Sequence, residues 1–268
     1  MKASLVIEVA KNGHKTVLKN SYATPPFKVA NITEDKQNPM LHLMLMSASP
    51  GILEGDDYDL RIVLPENCAL RLHTQSYQRL FTMQQGASQT MTVELAKNST
   101  FIYVPHPVVP HEKSSFVAKN KIYLSEGCTL IWAEILTCGR QLNKEVFQFT
   151  KLHNHTEIYW NNKLIIKENL LMHPSVINPF SMGQMEGFTH QASFIFLKNN
   201  TNIKETIEQI HSYLIDCQQV DFGISELPLS GFVLRLLGYK AEQLYAILHN
   251  VAALLTSSFV ENNTGSCS

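Results

Sequence analysis

Three segments of the chain are written on one plan: Ile62–Leu72, Val93–Tyr103 and Ile122–Trp132 each read as a strand, a two-residue polar turn and a second strand. The turns Glu66-Asn67, Lys97-Asn98 and Glu126-Gly127 end in Asn or Gly, residues that tolerate the positive φ of a tight turn. A small residue follows each turn (Cys68, Ser99, Cys128), then Ala69, Thr100 or Thr129, then Leu70, Phe101 or Leu130. Units this short cannot bury an apolar face alone, so each needs a neighbour. Stacked β coils meet that need, and so do ordinary hairpins in an antiparallel sandwich; the pattern alone leaves both open. Under stacking, strand alternation places Leu64, Leu95 and Leu124 in equivalent inward positions. Ala10–Gly13 and Asn161-Asn162 read as weaker copies of the turn.

From Ser4 to about Phe196 the chain consists of short alternating runs rich in Val, Ile, Thr, Phe and Tyr. The expected fold is mainly β: a β-helical, solenoid-like body over about 4–200, with two α-helices in the C-terminal third, in a single domain spanning 1–260. The first helix, about 202–217, is entered through Thr201 or Asn202 and lines Ile203, Ile207, Ile210 and Leu214 along one face. The second, about 240–257, carries Leu244, Leu248, Val251 and Leu255 on one face, with Ile247 and Leu254 on the other side. That is more apolar surface than one contact needs, so Ile247 and Leu254 are partner-interface candidates. Between the helices, Leu227–Gly238 reads as a buried strand holding the single charge Arg235, and the polar residues 261–268 as a disordered tail.

Lys and Arg total 22 against 23 Asp and Glu, a net charge of -1 that creates no field to gather phosphates, which argues against nucleic acid as a partner. The apolar run before Glu8 is too short for a signal-peptide core, and the uncharged stretch from Gln243 to Val260 is interrupted by His249, Asn250 and Thr256. A cytoplasmic protein without a membrane span is expected. Cys68, Cys128, Cys138, Cys217 and Cys267 form no C-x-x-C pair and are odd in number, so reduced thiols are expected in place of a zinc knuckle or a disulfide framework.

The chain holds no phosphate-binding glycine loop and no G-x-S-x-G nucleophile elbow. An acidic loop, Glu54–Asp59, lacks EF-hand spacing and reads first as a solvated turn, with Asp56 its candidate of interest. His106 and His111 bracket a Pro-Val-Val-Pro run, while His153 and His155 share one face of a strand. Imidazole suits nickel. No carboxylate or thiolate completes either set, so these four are weak metal candidates and ordinary histidines are the simpler reading. Arg140 or Arg235 is expected to be buried and paired with a carboxylate, Glu134 being the nearest in sequence to Arg140; Arg235, inside its apolar strand, needs a partner as well.

Taken in order, the landmarks resemble one family, the urease accessory proteins UreD/UreH. They are Thr24–Lys28, Ser49-Pro50-Gly51 followed by Gly55-Asp56, Thr74-Gln75-Ser76, Pro105–Glu112, Glu134 with Gly139-Arg140, Glu145 with Phe147, and Gly231–Gly238. Departures fall at Arg79, His111 and Lys144, where the family usually carries Lys, an aromatic and Gly. The resemblance implies a β-helical body with two helices, and a non-catalytic role. Such a chain binds UreF, recruits the GTPase UreG through it, docks on apo-urease, and is present twice in a dimeric accessory complex. It further implies that nickel passes through the protein in transit with no tightly bound cofactor, and that Asp56, Thr74, Gln75, Glu134, Arg140, Glu145 and Arg235 are structural or passage residues. The rival reading is an independent β-solenoid enzyme that uses Asp56, Glu134 and Glu145 as acids.

Overall fold

The structure is a computed structural model that describes residues 1–198 and 202–261. Strands β1 (Lys2–Asn12) and β2 (Lys15–Ala23) form a hairpin, and β3 (Phe27–Asn31) pairs antiparallel with β4 (Leu41–Ser47). Three units follow: β5 (Asp57–Leu64) with β6 (Ala69–Thr74), then β7 (Gln78–Leu80) leading to β8 (Ala87–Leu95) and β9 (Thr100–Tyr103), then β10 (Val108–Pro110) leading to β11 (Ser115–Leu124) and β12 (Thr129–Thr137). A hairpin of β13 (Lys151–Trp160) and β14 (Lys163–Met172) precedes β15 (His190–Lys198) and helix α1 (Ile203–Ile215). The chain ends in β16 (Val220–Leu227), β17 (Gly231–Gly238) and helix α2 (Ala241–Glu261).

The repeated turns are corners between two sheets. In each unit the strand before the turn joins a seven-stranded sheet, ordered β14-β13-β11-β8-β5-β1-β2, and the strand after it joins a second sheet containing β16-β17-β15-β12-β9-β6-β4-β3. Within both sheets the units pair in parallel, so Leu64 lies opposite Leu95 and Leu95 opposite Leu124, all three buried. Asn67, Asn98 and Gly127 take φ of 59°, 59° and 71°, as their turns require. The Asn67 amide donates to the Lys97 carbonyl and the Asn98 amide to the Glu126 carbonyl, each over 3.0 Å, so one corner's backbone bonds the next. Cys68, Ser99 and Cys128 stack inside these corners and are all but inaccessible, which explains their small size.

Two turns read as weaker copies are different objects. Gly13 and Asn161-Asn162 close true antiparallel hairpins, β1–β2 and β13–β14, that cap the two edges of the first sheet. Leu227 ends a strand of its own, β16, and the buried strand runs only from Gly231 to Gly238. The residues from 173 to 189, within the expected β region, form turns without a strand.

Alternation along β9, β12, β15 and β17 sends residues to two cores. Phe101, Tyr103, Leu130, Trp132 and Ile195 pack between the sheets, while Ile102, Ile131, Phe194, Phe196, Phe232 and Leu234 pack outward against α1 and α2. Each such side chain removed from water contributes about 1.5–3 kcal/mol, which is why the second sheet needs a helical cover. Ile247, expected on the outer side of α2, is buried in that second core, because the helix beds against both the sheet and α1. Leu254 stays 47% exposed. Beyond Glu261 the expected tail lies outside the described residues, as do Thr201 and Cys267. No helix among the described residues is long and apolar enough to cross a membrane.

Candidate functional site

The inter-sheet core is incomplete along one line. A cavity of about 260 Å³ lies between the sheets, lined by residues from successive strand pairs. At one end stand Ser49, Gly51, Thr74 and Gln75; Tyr103, Trp132, Glu134 and Asn120 follow in the middle; Asn154, Ser193, Glu168 and Arg235 close the series. Of the sequence candidates, Thr74, Gln75, His106, Glu134 and Arg235 therefore share one cavity.

Glu134 is its organising group. It faces inward from β12, two residues after Trp132, whose indole N–H donates to Glu134 Oε1 over 2.9 Å. Thr156 Oγ1 donates to the same oxygen at 2.8 Å, and Asn120 Nδ2 lies 3.2 Å from it. Asn154 Nδ2 donates to Oε2 at 2.5 Å. Three donors thus hold one carboxylate oxygen, and the other accepts a single bond. A carboxylate held by four donors keeps its orientation. Nearby Tyr103 is fully enclosed, and burial together with the Glu134 charge pushes its phenol well above the usual range.

At the β6 end, Thr74 Oγ1 accepts the His106 backbone N–H at 2.8 Å and lies 3.0 Å from His106 Nδ1. At the other end, Arg235 leans from β17 to Glu168 on β14. The expectation that Arg235 is buried is corrected: its side chain is 58% exposed, because only the edge strand β14 covers the inner face there.

The remaining candidates lie elsewhere. Asp56 is buried, and its carboxylate accepts from the Met1 ammonium at 2.9 Å, the Leu53 amide at 2.8 Å and the Tyr58 hydroxyl at 2.8 Å. Burial alone would raise its pKa, but these bonds together hold it below the ordinary value. Asp56 is therefore a turned-in clasp, although its loop was read as a solvated turn.

Arg140 bonds Glu145 through Nε and Nη2, with Nε to Oε2 at 2.8 Å. It is neither buried, at 40% exposure, nor partnered by Glu134. Asp56, Glu134 and Glu145 thus sit in three separate hydrogen-bond networks.

The histidine pairs do not form metal sets. His106 stacks on Tyr245, whereas His111 is buried against Phe81, so the Pro-Val-Val-Pro run separates them. Burial first, then the Arg140 charge, lowers the His111 pKa. His153 and His155 do share a face, the outer one of the first sheet, where His153 Nε2 meets Asn169 Oδ1 at 2.7 Å and His155 Nε2 lies 3.4 Å from Glu157. Among the described residues no three His, Cys, Asp or Glu side chains gather as a metal site requires.

Sequence reasoning missed Asn120, Asn154, Thr156 and Glu168. The available signal was a polar residue at an inward position of an otherwise apolar alternation, as Asn120 is two places before Ile122. The cavity presents hydroxyl, amide and carboxylate oxygens, the Arg235 guanidinium and the His106 imidazole, with the Thr74 hydroxyl 3.0 Å from His106 Nδ1. Its polar groups are set among apolar side chains such as Leu60, Met91, Tyr103 and Trp132.

The model of the UreD urease accessory protein family matches residues 1–266. A urease accessory protein UreD from Flavobacterium johnsoniae is 47% identical over 234 residues, covering 86% of this chain and 84% of that one. The proteins of the same name from Acetivibrio thermocellus and Haemophilus influenzae are 35% and 36% identical, over 252 and 268 residues, and cover 94% and 96% of this chain.

Proposed function

Because the chain belongs to the UreD family of urease accessory proteins, we propose that it is a non-catalytic scaffold and nickel conduit in urease maturation. In this reading it acts in the cytoplasm, binds UreF, engages the GTPase UreG through UreF, and docks this assembly on apo-urease. Nickel is cargo, handed along the inter-sheet cavity. The carrying observation is that cavity, in which Glu134 is oriented by four hydrogen-bond donors while Thr74, Gln75, Asn154 and Glu168 continue the line.

The stacked parallel units support a further reading of the body as a short β-solenoid, closed at its ends by the antiparallel strands β2, β14, β3 and β15. A solenoid suits a conduit, since each added unit lengthens the interior without changing its section. The rival, an enzyme using Asp56, Glu134 and Glu145, loses support because those carboxylates occupy separate networks and two are neutralised by an ammonium and a guanidinium.

The test is the nickel content and activity of urease produced with UreF and UreG, with and without this protein. Normal urease amounts with little nickel in its absence are expected; full loading without it would refute the reading. Purified alone, the chain is expected to hydrolyse neither GTP nor urea.

A further inference from the structure

Arg235 lies at the end of the cavity, and the strand next to it leaves room for its side chain to move. Val233 and Leu237, two places before and after it on β17, pack against the inter-sheet core, so strand alternation turns Arg235 inward between them. From there its guanidinium crosses to Glu168, which stands between the inward Ile166 and Leu170 on β14. Both members of the pair line the cavity, beside Asn154, Gln191 and Ser193. The carboxylate at this end is thus covered by a fixed positive charge.

On its own sheet Arg235 stands directly opposite Gly223 of the edge strand β16. Opposed residues of an antiparallel pair share a face, so Gly223 also faces inward and fills nothing there. No atom beyond its chain neighbours lies within 4 Å of where its β-carbon would stand, and its φ is outside the left-handed region, so the backbone does not call for glycine. Asp221, opposite Leu237 and two places from Gly223, shares that face. It is exposed, its Oδ1 accepts the Phe222 amide at 2.9 Å, and among the described residues it forms no ion pair. Diagonal neighbours across a strand pair stand about 7–8 Å apart, within the span of a long side chain.

We propose that Arg235 is a cation-operated gate: Glu168 holds it over the end of the cavity, and a divalent cation that takes Glu168 moves it across Gly223 to Asp221. This rests on the conduit reading and names the residue that controls release. The cation and the guanidinium compete for the same two carboxylate oxygens. The pair is half exposed and contributes little, so an ion with two charges that binds oxygen directly can displace the guanidinium. Asp221 then neutralises the freed arginine and draws it off the exit, and the arginine returns to Glu168 once the ion has left. An empty passage stays closed by its own charges.

The experiment measures Ni²⁺ binding to the purified full-length chain at neutral pH by calorimetry, the part lost in Glu168→Gln being that of the gate. Arg235→Gln should bind Ni²⁺ there roughly three- to tenfold more tightly, because no guanidinium has to be displaced. Asp221→Asn should bind it roughly threefold more weakly than the wild type, and should change nothing once Arg235 is also replaced by Gln. Gly223→Val, which fills the vacant place without altering a charge, should weaken binding as Asp221→Asn does. The gate is overturned if Arg235→Gln gains no affinity, if Asp221→Asn acts alike in both backgrounds, or if Glu168→Gln removes no binding, which leaves adventitious sites only. Where Arg235→Gln fails to fold, Gly223→Val decides, and unchanged affinity in it overturns the gate. The conduit reading is judged separately by urease loading: loading that needs this protein, combined with any of these negative results, overturns the gate alone.

Discussion

The Arg235 guanidinium on β17 reaches the Glu168 carboxylate on β14 at 2.5 Å, and so ties the two sheets together where the cavity ends. The arginine is more than half exposed, and such pairs contribute no more than about 1 kcal/mol. Glu168→Gln is therefore expected to leave the denaturation midpoint nearly unchanged. It removes a charged oxygen from the proposed cation path, however, and leaves the guanidinium charge unbalanced there. Metal analysis of coexpressed urease should show reduced nickel; unchanged loading would remove Glu168 from the path.

Glu134 separates structure from transit more sharply. Glu134→Leu strands the Trp132, Thr156, Asn120 and Asn154 donors in the cavity wall, at a cost on the order of 1–3 kcal/mol. Glu134→Gln keeps the shape and loses the charge. The expected result is that the Gln variant folds and assembles, with a smaller stability loss than Leu, yet delivers little nickel. Equal delivery by wild type and the Gln variant would make the group purely structural.

Gly231 opens β17 where it pairs with β15. A β-carbon at this position collides with the Phe196 carbonyl oxygen and lies 2.8 Å from Leu197 Cδ2. Backbone on both sides of the contact cannot yield as a flexible side chain can. Gly231→Ala is expected to lower stability by about 1–3 kcal/mol and to expose the apolar face beneath α2, read as a reduced denaturation midpoint and increased dye binding.

These elements differ in how far the sequence announced them. The corners at Asn67, Asn98 and Gly127 were legible because a local rule, positive φ, selects Asn or Gly, and the helices because their apolar period is local too. Whether each corner joined strands of one sheet or of two was not, since that depends on which unit pairs with which, and nothing near Glu66-Asn67 records the answer. Arg235 failed for the same reason: its neighbours in sequence are apolar, but its exposure is set by the end of the stack and by Glu168, 67 residues away. Ile247 failed in the opposite sense, because α1 supplies a second wall for α2 that periodicity within α2 cannot reveal. The cavity was half legible. Glu134 and Arg235 were singled out as charges in apolar runs and Thr74 and Gln75 through resemblance, while Asn120 and Asn154 acquire meaning only once Glu134 is seen between them.

The last prediction concerns the loop that Arg140 and Glu145 close. Glu145 Oε2 accepts from both Arg140 Nε at 2.8 Å and the Glu112 amide at 3.2 Å, so one carboxylate joins the turn after β12 to the turn after β10. Gly139, at φ 121°, lets the chain pass between the carbonyls of Pro110 and Glu145, each 2.8 Å from where a β-carbon would stand. The Arg140 bond, ahead of the other contacts, lowers the Glu145 pKa below its usual 4.5. A carboxyl whose native pKa is depressed contributes stability that is complete above its ordinary pKa and is lost as pH falls through the native one. The loop at 139–147 is therefore expected to stay closed at neutral pH and to open only below about pH 4.5. Arg140→Ala should open it at pH 7, with new proteolytic cleavage between Gln141 and Lys144, where Leu142 is already fully exposed. A protected loop in that variant at pH 7 would show that the backbone bonds of Gly139 and Phe147 suffice without the ion pair.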